Sequence, residues 1–68
     1  MKNTARMIKQ IFDETGTDAF TRGNGAFGLT LKELERLYVK GYVVDGEGGS
    51  LRLSRKAIKL IDVINKQN

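Results

Sequence analysis

The sequence predicts a small α+β domain with the order helix, short helix or loop, helix, β-hairpin, helix. Three observations predict it. Apolar residues recur at helical spacing in three stretches, near residues 3–15, 29–40 and 54–66. Two β-prone runs, YVV and LRL, flank the glycine-rich DGEGGS. Sixty-eight residues, without a linker, an internal repeat or a low-complexity tract, make one domain over 1–68.

The first helix is expected from Asn3 to Thr15, with Ala5, Ile8, Ile11 and Phe12 on its apolar face. Lys2, Arg6 and Lys9 lie on another face. Asn3 or Thr4 can cap its start, and Gly16 suits a left-handed C′ position. Asp13 and Glu14 sit at its unfavourable negative end.

TDAFTRGNGAFG, Thr17 to Gly28, allows two local structures. Thr17 can cap a short helix through Arg22, or the whole stretch can be loop; the glycines of Gly23–Gly28 forbid regular structure. GNGAFG also has the G-x-G-x-x-G spacing of a dinucleotide-binding loop. That loop needs a preceding buried strand and a βαβ unit, whereas TDAFTR is short and polar and a hairpin follows the next helix. A nucleotide cofactor is therefore not expected.

The next helix, Leu31–Lys40, is specified by several signals at once. Thr30 and Glu33 have capping-box spacing, and Leu29 and Leu34 form a hydrophobic staple. Leu31, Leu34, Leu37 and Tyr38 are expected to form its buried stripe. Gly41 ends it, with Tyr42 folding back on Leu37 in a Schellman motif. Tyr42–Val44 and Leu51–Leu53 then pair as a hairpin. Their alternation predicts Tyr42, Val44, Leu51 and Leu53 on one face, Val43 and Arg52 on the other. Ser54 caps a last helix, Arg55 to about Lys66. There Ala57, Ile58, Leu60, Ile61, Val63 and Ile64 cover an arc of roughly 220° at 100° per residue. So wide an arc exceeds one core contact, and Ile58 or Val63 at its edges can serve a homodimer.

Composition narrows the chemistry. Without Cys or His, disulfides, the usual zinc sites, and thiol or imidazole catalysis are excluded. Each of the eight carboxylates has a place in a cap, a turn, a helix end or a solvated face, so neither an enzyme nor a metal or cofactor is expected. MKNTARMIKQIF lacks the apolar run of a signal peptide, and no stretch approaches a membrane span, which predicts a cytoplasmic protein. Twelve Lys/Arg against eight Asp/Glu give a net charge of +4 and a pI near 9.7. That balance favours a polyanionic partner, although ordinary solubilising charge has the same appearance.

The order of elements, together with LTLKELERLYVKGYVVDGEGGSLRLSRKAIKLI from Leu29 to Ile61, resembles winged helix-turn-helix domains of MarR-like and PadR-like regulators. The corresponding positions are Leu37, Gly41, Tyr42–Val44 and Leu51–Ser54. The resemblance implies that helix Leu31–Lys40 faces double-stranded DNA and that the hairpin is a wing. It assigns Lys32, Arg36 and Lys40, spaced i, i+4, i+8, to the reading face, with Arg36 on a guanine edge or a phosphate. Arg52 on the wing and Arg55 and Lys56 at the start of the last helix would add contacts. The N-terminus of Leu31–Lys40 would hold a phosphate, with Arg22 and Asn24 beside it. Phe27 would plug the core. The bland alternative is a solvated face on which Glu33 and Glu35 pair with Arg36 and Lys32.

Two departures stand out. The bracing helix of the motif falls on the glycine-rich segment, and the wing tip carries Asp45 and Glu47 with no cation. Two functions are therefore expected to compete. One is a DNA-binding regulator or mobile-element accessory protein, acting as a dimer. The other is a winged-helix module that docks on a larger protein complex, such as a virus-encoded inhibitor of host machinery. An extended segment at 17–28 would favour the second.

Overall fold

A computed structural model describes residues 3–23 and 26–66. Three helices, α1 (Thr4–Thr15), α2 (Leu31–Val39) and α3 (Arg55–Lys66), surround an antiparallel hairpin of β1 (Val43–Asp45) and β2 (Leu51–Leu53). The core runs from Met7, Ile8 and Ile11 of α1, through Leu34, Leu37, Val43, Leu51 and Leu53, to Ala57 and Ile61 of α3. Helix α1 packs on α3, while α2 lies against β1. No described helix is long and apolar enough to cross a membrane.

Caps set the helix limits. The Asn3 carboxamide oxygen accepts from the Arg6 N–H at 2.8 Å, and the Gly16 N–H donates to Phe12 C=O at φ 61°. Asp13 is offset by Lys9 at 2.9 Å one turn earlier. Met7, outside the expected apolar face, completes the buried side of α1.

At α2 the capping box forms in full. Thr30 Oγ1 accepts from the Glu33 N–H at 3.1 Å, and the Glu33 carboxylate accepts from the Thr30 N–H at 2.8 Å. The other end closes as a Schellman motif: the Tyr42 N–H donates to Leu37 C=O at 2.9 Å and the Gly41 N–H to Tyr38 C=O at 3.1 Å. Gly41 has φ 85°, where a side chain would be strained.

That turn corrects the hairpin phase. Because Tyr42 still belongs to the helix cap, the strand begins one residue later, and Val43 pairs with Leu53, Val44 with Arg52 and Asp45 with Leu51. Val43 therefore shares the core face with Leu51 and Leu53, and Val44 turns outward with Arg52.

Among its described residues, Thr17–Gly28 contains no bracing helix. A turn and a bend at Thr17 and Asp18 lead to Phe20, which makes a bridge to β2: the Phe20 N–H donates to Leu51 C=O at 2.7 Å and the Leu51 N–H to Phe20 C=O at 2.8 Å. A 3₁₀ turn at Ala26–Gly28 follows, with Phe27 at φ 57°. Phe27 packs edge-on against Phe20, centroids 5.0 Å apart, as a plug on the core. The positive φ is unusual for so bulky a residue, and that burial offsets its strain.

A second correction concerns α2 itself. Leu31 and Tyr38, expected in the buried stripe, are 46% and 40% exposed, and only Leu34 and Leu37 of that stripe are buried.

The N-terminus of α3 is tied to the C-terminus of α2. Ser54 Oγ accepts from the Ala57 N–H at 3.3 Å and donates to Gly41 C=O, while the Ser54 N–H donates to Tyr42 C=O. Ser54→Ala removes the cap and leaves the Gly41 carbonyl without that donor. It should lower unfolding stability by about 1–2 kcal/mol in urea titration. A change within about 0.3 kcal/mol would contradict the junction's role.

Candidate nucleic-acid interface

The exposed face of α2 carries the residues expected to read DNA. Positions four apart on a helix lie on one side, so Lys32, Arg36 and Lys40 form a single exposed row. With Glu35 and Val39 they line a shallow groove of about 300 Å³. Among the described residues the ion pairs are Lys9–Asp13 and Lys66–Asp62, so the expected Glu35–Lys32 pair is absent.

Lys56 extends this row from α3. Its ammonium donates to Lys40 C=O at 2.9 Å and lies 4.5 Å from the centre of the Tyr42 ring. A lysine in the first turn of α3 opposes that helix's dipole, but here the charge rests on the C-terminal carbonyls of α2, where it is favoured. Arg52 and Arg55 are exposed.

Arg22, expected beside the start of α2, is exposed. It borders a larger groove of about 600 Å³ beside α2, together with Leu31, Glu35, Tyr38 and Val39. Asn24 lies outside the described residues. The phosphate expected at the α2 N-terminus meets an obstacle, because the capping box holds the Glu33 carboxylate on the Thr30 N–H there. An anion already occupies that end.

On α3, Val63 is 50% exposed, whereas Ile58 is partly buried and packs against the core. Of the two interface candidates Val63 is the more exposed.

Two features of the site were not anticipated. Val39, in the last turn of α2, is 78% exposed between the two grooves and lines both. The Tyr38 hydroxyl donates to Asp45 Oδ2 at 2.8 Å, tying α2 to the far end of β1 and engaging one of the two wing-tip carboxylates. An exposed apolar residue in a helical pattern that places it outside the buried stripe was the available signal for the first. The second depends on the register of the hairpin.

Comparison of the chain with protein-family models, curated proteins and solved structures finds no match.

The hydrogen bond to Asp45 and that carboxylate's charge, aided by desolvation, hold the Tyr38 hydroxyl above the usual tyrosine value, with the Arg22 charge opposing them. The folded protein thus favours protonated Tyr38. The associated stability is present below the unfolded value, about 10, and is lost as pH rises through the higher folded one. Residue-resolved NMR titration should find Tyr38 ionising above the ordinary value, and Asp45→Asn should bring it down. An identical midpoint in that variant would refute the coupling.

Proposed function

We propose that this protein is a small DNA-binding protein of winged-helix type, a transcriptional regulator or mobile-element accessory protein, in which α2 faces the duplex. The observation that carries the proposal is the row Lys32, Arg36, Lys40 and Lys56, exposed along one helix and its junction without a carboxylate paired to it among the described residues. Such a row neutralises successive phosphates and releases their counterions, the main source of affinity for nucleic acid. Phosphate contacts orient the protein, and Arg36 has the donors to engage a guanine edge.

The layout supports this reading. A helix, a bridged extended segment, a helix, a hairpin and a helix are compatible with a winged-helix arrangement. In the absence of a bracing helix, α2 is held by its capping box, its Schellman turn, the Ser54 junction and the Tyr38–Asp45 bond. Rigidity, which a reading helix requires, therefore has another source. The phosphate contacts of a bracing helix are missing, and Glu47 makes the wing tip unfavourable to a backbone. A weak and strongly salt-dependent binder follows.

A protein-docking module is the second reading. The extended segment before α2 and the open groove with Leu31 and Tyr38 favour it, since apolar surface beside a helix accepts a partner side chain.

Fluorescence anisotropy with mixed-sequence duplex DNA across a salt series separates the two. Four neutralised phosphates predict a slope of log affinity on log salt of about −3 to −4, falling to about −1 in the Lys32→Ala, Arg36→Ala, Lys40→Ala triple variant. Absence of binding at low salt would remove the DNA reading and leave the docking module.

A further inference from the structure

Val39 is the most exposed large apolar side chain among the described residues, and the fold gives no reason for it. Valine loses rotamer freedom in a helix, so propensity does not call for it at that position. It is absent from the buried cluster and from the residues packed on it, so packing does not call for it either. A position that breaks two local rules without gain to the fold marks a use outside the fold.

Its setting indicates the use. At 100° per residue, and taking Leu34 and Leu37 as the core direction, Val39 points almost straight outward beside Lys32. The groove on one flank is lined by the cations Lys32, Arg36 and Lys40. Glu35, one turn back, lines the same groove. A branched apolar group on the crest of a helix, among cations and beside one carboxylate, matches a surface that is polyanionic at its margins and apolar at its centre. The DNA major groove offers such a spot wherever thymine occurs: phosphates rim the groove, and among the polar base edges of its floor the thymine C5-methyl is the apolar element.

Resting on the DNA-binding reading above, we infer that Val39 is a specificity-determining residue that contacts thymine methyl groups in the major groove, so that the preferred duplex carries thymine opposite the last turn of α2. Glu35 is placed to accept from a cytosine amino group on the flank of that thymine. The cations fix the helix over the groove, and Val39 adds a preference for thymine to the guanine contact open to Arg36.

The test begins with selection of duplexes from a randomised library by the full chain at low salt. The recovered duplexes are then made with thymidine and with deoxyuridine, which lacks only the methyl group. Wild type should bind the uracil form about fourfold more weakly for each contacted methyl. Val39→Ala, which keeps the helix, should bind the thymine form at the weakened level and not distinguish the two. Circular dichroism of the variant checks that α2 is intact. Recovery of duplexes that bind equally well with thymine and uracil overturns this inference and leaves the DNA reading standing. Failure to recover any duplex overturns both and points to a protein partner for the crest of α2.

Discussion

The surface of this molecule is organised by the junction between the end of α2 and the start of α3. One hydroxyl, that of Ser54, caps α3 and binds the carbonyl of Gly41, the residue that ends α2. Lys56 closes the same junction from the side, on the Lys40 carbonyl and over the Tyr42 ring. The two helices are thus fixed to each other by backbone groups that would otherwise be orphaned at helix termini. The hairpin leaves and returns within this joint, so its twist and the direction of α2 are set together. A chain this short has little core to spare, and polar groups at the joint supply definition that apolar burial alone leaves loose.

Much of this was legible in the sequence, because local rules and tertiary structure agree over most of the chain. Thr30 with Glu33, and Leu37 with Gly41 and Tyr42, specify α2 by geometry intrinsic to a few residues, and α3 begins at the predicted Ser54 cap. Failures occurred where a distant partner decides. The face of Val43 depends on its pairing with Leu53, not on its own neighbours. The extended course near Phe20 depends on Leu51, thirty-one residues later by number, and no local pattern announces a single bridge. Leu31 and Tyr38 have the spacing of a buried stripe, yet both line the open groove that Arg22 borders.

The candidate site was more legible in its charges than in its apolar centre. Lys32, Arg36 and Lys40 follow from spacing alone, since a row four apart on a helix is exposed whenever the opposite side is buried. Arg22 borders the second groove with Leu31, the first residue of α2. Val39 carried a sequence signal, an apolar residue outside the expected buried stripe, and the structure shows it 78% exposed. On the proposed DNA reading, the α2 face would combine two kinds of recognition on one short helix: charge that holds a polyanion, and a compact apolar group that discriminates.

The bridge at Phe20 bears on the solubility of the chain as well as on its fold. Unprotected strand edges recruit further strands and seed aggregation. At Leu51 the outward-pointing N–H and C=O of β2 are both taken by Phe20 of the same chain, and β1 is only three residues long. One intramolecular rung thus deprives a second hairpin of the template it would need. The segment before α2 covers at Leu51 an edge position of the hairpin that a second strand could otherwise pair with.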